Sequence, residues 1–99
     1  MTNAEYAVRV ERDRQDEKWG EQNHDPEWWL AILMEEVGEL AQCVLEAHFS
    51  NGPNGTHLAT PANVRQEAVH CAAVALAMIE SLDRAAERSA HQALHKAGG

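Results

Sequence analysis

The chain has 99 residues, enough for one domain but near the lower end of what buries an adequate core unaided, so oligomerisation would help it. Its formal charge of −8 argues against nucleic acid or an anionic membrane as the main partner, since both recruit basic patches. The two cysteines, Cys43 and Cys71, stand in the most apolar stretches, and the N-terminus Met1-Thr2-Asn3-Ala4-Glu5 lacks a basic region and an apolar segment for export. Both features lead us to expect a reduced, cytoplasmic setting. The longest unbroken apolar run, Cys71 to Ile79, cannot span a bilayer.

Thr2-x-x-Glu5 reads as a capping box opening a first helix that runs through a strongly charged stretch and stops near Trp19-Gly20. Asp25-Pro26-Glu27 combines a capping acceptor, a proline at the first helical position and a carboxylate at the positive end of the helix dipole. A second helix is therefore predicted from Pro26 to before Asn51-Gly52. Ser50 to Thr60, with two Asn/Gly signals and a proline, reads as a loop, and no strand pattern flanks it. Thr60-Pro61 repeats the cap-plus-proline signal and starts a third helix, which either runs on past Ser81-Leu82-Asp83 or breaks there into a fourth. From Ala68 to Leu82 its apolar residues lie on every side, so it needs more than one neighbour, and a second subunit would supply what so short a chain lacks. The tail from His91 to Gly99 reads as frayed and solvated, and His91-x-x-x-His95, though spaced like two zinc ligands, reads as part of that tail. The expected fold is an all-α bundle of three or four helices in a single domain, 1–99, completed by a homodimer or a tetramer.

Glu35, Glu36 and Glu39 interrupt the apolar run of the second helix and fall within an arc of about 100°. A solvated acidic face usually carries lysine or arginine four residues away. Here those neighbours are Ala31, Ile32, Leu40, Cys43 and one another, and no lysine or arginine occurs between Lys18 and Arg65. A divalent metal would neutralise the cluster, and Mg²⁺ favours a few carboxylates together with water and phosphate oxygens. On the third helix Glu67-x-x-His70 projects a second i, i+3 pair. Packing the two helices face to face would place four ligands, Glu36, Glu39, Glu67 and His70, around one ion.

These residues resemble a known family. Glu35-Glu36-x-x-Glu39 followed after a loop by Glu67 is similar to the signature of the MazG-like all-α nucleotide pyrophosphohydrolases, Glu-Glu-x-x-Glu and then Glu-x-x-Asp. Arg12-x-Arg14-Gln15-Asp16-x-Lys18-Trp19-Gly20 and Trp29-Leu30-Ala31-Ile32-Leu33 resemble the leader of its compact members, so the likeness covers roughly residues 9 to 82. It implies an Mg²⁺-dependent hydrolase that splits a nucleoside triphosphate into monophosphate and pyrophosphate. Glu36, Glu39 and Glu67 would be direct ligands, and Glu35 would hold a second metal or orient the attacking water.

His70 departs from the pattern, standing where the family has aspartate. Imidazole suits Mn²⁺, Co²⁺, Ni²⁺ or Zn²⁺ better than Mg²⁺. Three readings remain open: His70 ligates a softer metal, three carboxylates and a water suffice, or catalysis is lost and a nucleotide- or protein-binding module remains. A hydrogen-bonded core histidine with no ligand role is the plainer alternative. Trp19 is a candidate for stacking on a base, against the packing role expected of Trp28 and Trp29. Lys18, Arg14 and Arg65 are candidate phosphate contacts or ordinary surface charges. Cys43 reads as a core thiol.

Overall fold

The computed structural model describes residues 1–98 and is all-helical, with no strand among the described residues. Helix α1 spans Asn3–Trp19, α2 Pro26–His48 and α3 Pro61–Gly98. A short 3₁₀ turn, Pro53–Gly55, lies in the loop between α2 and α3. None of these helices is long and apolar enough to cross a membrane.

Each helix begins where the sequence signals a start, with one difference in how the start is satisfied. At α1 the Glu5 amide donates to Thr2 Oγ1 at 3.1 Å. At α3 the cap is reciprocal: the Asn63 amide donates to Thr60 Oγ1 at 3.2 Å, and the Thr60 amide donates to Asn63 Oδ1 at 2.9 Å. Replacing Thr60 by alanine removes one half of this exchange and is expected to lower stability by about 1 kcal/mol in urea unfolding. Asp25 does not cap α2 with its carboxylate, contrary to the sequence expectation. Its backbone carbonyl instead accepts from the amides of Trp28 and Trp29, at 3.0 and 3.1 Å, and Pro26 has no amide to satisfy.

Gly20 stops α1 with φ of 71°, a conformation that a side chain would strain, while its amide still reaches the Asp16 carbonyl at 2.8 Å. The third helix does not break near Leu82 and continues to Gly98, through the segment expected to fray save Gly99, which lies outside the described residues. Between Asp83 and Ala97 there is neither glycine nor proline to end it, so the helix runs on although its last two turns are exposed.

Helix α3 is central. Both α1 and α2 pack on it, and neither packs on the other. The α2–α3 contact is apolar: Trp29, 1% exposed, lies with Val74 and Ala77, and Ile32, Leu33 and Met78 close around them. The α1–α3 contact is largely polar, because α1 has few apolar residues to offer. Arg12, buried in that contact, donates from Nε and Nη2 to Glu80 Oε1 at 2.9 and 2.6 Å, and Nη2 also reaches Asp16 at 3.0 Å. Burial disfavours the guanidinium charge, but the bonds to Glu80 and Asp16 outweigh it and hold its pKa above the ordinary value. Glu80 also pairs with Arg9 at 3.5 Å.

Candidate functional site

The site lies in the cleft that α1 and α2 leave in front of α3. Glu36 projects from α2, and Glu67 and His70 project from successive turns of α3. One candidate ligand atom from each of the three lies within 4.8 Å of the others. Glu36 Oε2 and Glu67 Oε2 are both buried and have no hydrogen-bond partner. His70 Nδ1 lies 3.4 Å from Glu67 Oε2. Two buried carboxylate oxygens without donors are costly, and a cation satisfies both together.

The electrostatics carry the same strain. Burial first, and then the Glu39 charge, push the Glu36 carboxyl above its ordinary 4.5; Glu67 and Glu35 add to the effect and His70 opposes it. Cys71, on the turn after Glu67, is held as a thiol by burial and by the charges of Glu36, Glu67 and Glu39. Cys43 is buried, as a core thiol should be, and burial raises its pKa as well. Neither cysteine has the environment of an activated nucleophile.

A cavity of about 370 Å³ adjoins this triad. Glu35, Glu36, Glu39 and His70 form its acidic wall, while Trp29, Ile32, Val74 and Ala77 form an apolar floor. Helix α1 and the turn after it contribute Glu11, Arg14, Gln15, Trp19 and Gln22. The turn is tied to α3 by Arg84, whose Nε donates to Asn23 Oδ1 at 2.9 Å and whose Nη2 donates to the Gln22 carbonyl at 3.0 Å.

Of the four residues expected as ligands, the structure brings three together, Glu36, Glu67 and His70. Glu39 lines the cavity wall and is exposed, but it falls outside the close cluster of Glu36, Glu67 and His70. Glu35 is likewise exposed and faces the same cavity. Trp19 stands at the rim, 53% exposed. Lys18 does not line the cavity; its ammonium lies 4.7 Å from the centre of the Trp19 ring. Arg65 lies away from the cavity too, in a shallow groove with Tyr6 and Val69. Arg14 does line the cavity, but its guanidinium is engaged by Glu11 at 2.6 to 3.0 Å. Trp29 packs in the core as expected, whereas Trp28 is 62% exposed, against expectation.

Glu11 is the site residue that the sequence reading misses. It is 5% exposed and sits 3.7 Å from His70 Nε2. Hydrogen bonds from Arg14 lower its pKa, against the opposing effect of burial, so it enters the cleft as a carboxylate. Gln66 closes the ring of contacts, its Nε2 lying 3.0 Å from His70 Nε2. The one sequence signal for Glu11 is its i, i+3 spacing to Arg14, which marks a helical ion pair and says nothing of α3.

No protein-family model, curated protein or solved structure matches the chain.

Proposed function

We propose that the cleft binds a divalent cation through Glu36, Glu67 and His70 and hydrolyses a nucleoside triphosphate to its monophosphate and pyrophosphate. The observation that carries this reading is the pair of buried, donorless carboxylate oxygens on facing helices, beside a cavity that is acidic on one wall and apolar on its floor. The donor set of two carboxylates and an imidazole fits Mn²⁺ or another softer divalent ion better than Mg²⁺. When bound, such an ion offsets phosphate charge and lowers the pKa of a bound water.

The protein's own groups would divide the remaining work. Glu35 and Glu39, exposed along the wall, are placed to orient a water and take its proton. Trp19 offers a ring face at the rim for a flat base, and the apolar floor excludes water beneath. Arg14 holds Glu11 in place beside His70 and serves to position it. A −8 protein with no cation free at the triad depends on the metal to receive the triphosphate. We place the protein in the cytoplasm on this reading, where nucleoside triphosphates are abundant.

The test is pyrophosphate release from a panel of ribo- and deoxyribonucleoside triphosphates in Mg²⁺ and in Mn²⁺. Release is expected in Mn²⁺ above Mg²⁺, and His70→Asp should shift that preference toward Mg²⁺. Silence across the panel in both metals would sink the enzyme reading. Nucleotide binding without turnover would then identify a binding module.

A further inference from the structure

The loop between α2 and α3 holds two Asn-Gly pairs, Asn51-Gly52 and Asn54-Gly55, and no other asparagine of the chain precedes a glycine. Such a pair is chemically labile. With no side chain to obstruct it, the glycine nitrogen can close on the side-chain carbon of the asparagine before it. Both asparagines are exposed to water. The two glycine amides, however, are held differently.

Gly52 closes an outer bracket. Its amide donates to the Thr56 carbonyl at 2.7 Å, and a Cβ at Gly52 would lie 2.5 Å from Thr56 Oγ1, so the two residues are in close contact. Thr56 is anchored in turn, its Oγ1 and its amide both donating to the Pro53 carbonyl, at 2.7 and 3.2 Å. Gly55 lies inside the bracket, and its amide makes a longer bond, 3.1 Å to the Gly52 carbonyl. Asn54, with φ of 58° and ψ of 29°, is held in the left-handed region, which a residue with a side chain gains by leaving. Freeing the Gly55 amide therefore breaks one long bond and relaxes Asn54, whereas freeing the Gly52 amide opens the bracket.

We propose that Asn54 is a site of self-modification, converted to aspartate and isoaspartate in the folded protein ahead of Asn51. The Gly55 nitrogen gives up its proton and attacks Asn54 Cγ. A bond from that nitrogen to Cγ forms, the Cγ–Nδ2 bond breaks, and ammonia leaves with the proton. The cyclic imide then takes up water. Breaking the new bond to Cγ gives aspartate, and breaking the original bond to the main-chain carbonyl carbon gives isoaspartate. Water is the only co-reactant, and nothing is oxidised or reduced.

Either product adds one negative charge to a chain of formal charge −8. Isoaspartate also routes the main chain through Cγ. It thereby lengthens by one carbon the connection between the two helices that carry Glu36, Glu67 and His70.

The experiment keeps the full chain folded in mildly alkaline buffer at physiological temperature, beside a sample unfolded in urea. Both are sampled over weeks, digested, and read by mass spectrometry with fragmentation that separates isoaspartate from aspartate. Each conversion makes a peptide heavier by the difference between water and ammonia. In the folded protein Asn54 is expected to convert about fivefold faster than Asn51, the factor that one further hydrogen bond of ordinary strength supplies. In urea the two rates are expected to converge. A folded protein in which Asn51 converts as fast as Asn54 overturns the inference, as does one in which Asn54 is no faster than Asn23 and Asn63. A gap that persists in urea also overturns it, because neighbouring residues and not the loop's hydrogen bonds would then set the order.

Discussion

Replacing Trp29 by alanine is expected to cost about 3–5 kcal/mol of folding stability, enough to unfold much of a domain this small at physiological temperature. Trp29 is the one large side chain that is fully buried among the described residues, and the contact of α2 with α3 is built around it and Val74 and Ala77. Its indole Nε1 is also buried without an acceptor, so the native residue already carries a desolvation penalty. Trp29→Phe should therefore cost clearly less than Trp29→Ala, since phenylalanine keeps most of the ring volume and removes the donor. Urea unfolding of the two variants gives the comparison, and equal losses would show that Nε1 finds a partner in solution.

Exchanging Glu36 and Glu67 for glutamine is expected to lower metal-dependent activity by more than about 100-fold, since loss of a supporting residue around a metal alone costs 10–100-fold. The same pair makes a prediction without any substrate. Glu36 has its pKa raised above 4.5 in the folded state. A carboxyl raised on folding stabilises the protein fully below its unfolded pKa, and that stabilisation is lost as the pH rises through the folded value. At neutral pH, charged Glu36 thus works against the metal-free fold, and Glu36→Gln should melt at a higher temperature than wild type. Adding Mn²⁺ should reverse the order, raising the melting temperature of the wild type and leaving the Glu36→Gln/Glu67→Gln variant unmoved. Thermal melts with and without Mn²⁺ check both statements, and a wild type indifferent to metal would remove the metal site.

Most helix starts are legible in the sequence because their signals are local: a threonine or aspartate followed by proline needs no tertiary contact to act. The pairing of Glu36 with Glu67 and His70 is legible for a related reason, since i, i+3 spacing fixes the face of Glu67 and His70, and Glu36 shares its side of α2 with Trp29, Ile32 and Leu33, the apolar residues that pack on α3. Glu11 is not legible in this way. Its approach to His70 depends on how α1 docks, and that docking rests on Arg12 reaching Glu80, 68 positions away. Arg65 shows the opposite case. It precedes His70 by five residues, about 140° around the helix, so its distance from the cleft follows from the sequence once His70 is taken as the front. Proximity in sequence makes it look like a phosphate contact, and angular position removes it.

Because α1 and α2 each rest on α3 and not on each other, the cleft has no closed frame. Its two walls are joined by the turn at 20–25 and by the helix beneath, and α1 is attached mainly through Arg12, Glu80 and their neighbours. Swinging α1 outward would widen the cleft while Glu36, Glu67 and His70 stay assembled on the other two helices. Amide exchange in the intact protein would follow such a motion, with the amides of α1 losing protection first and those around Trp29 and Val74 last.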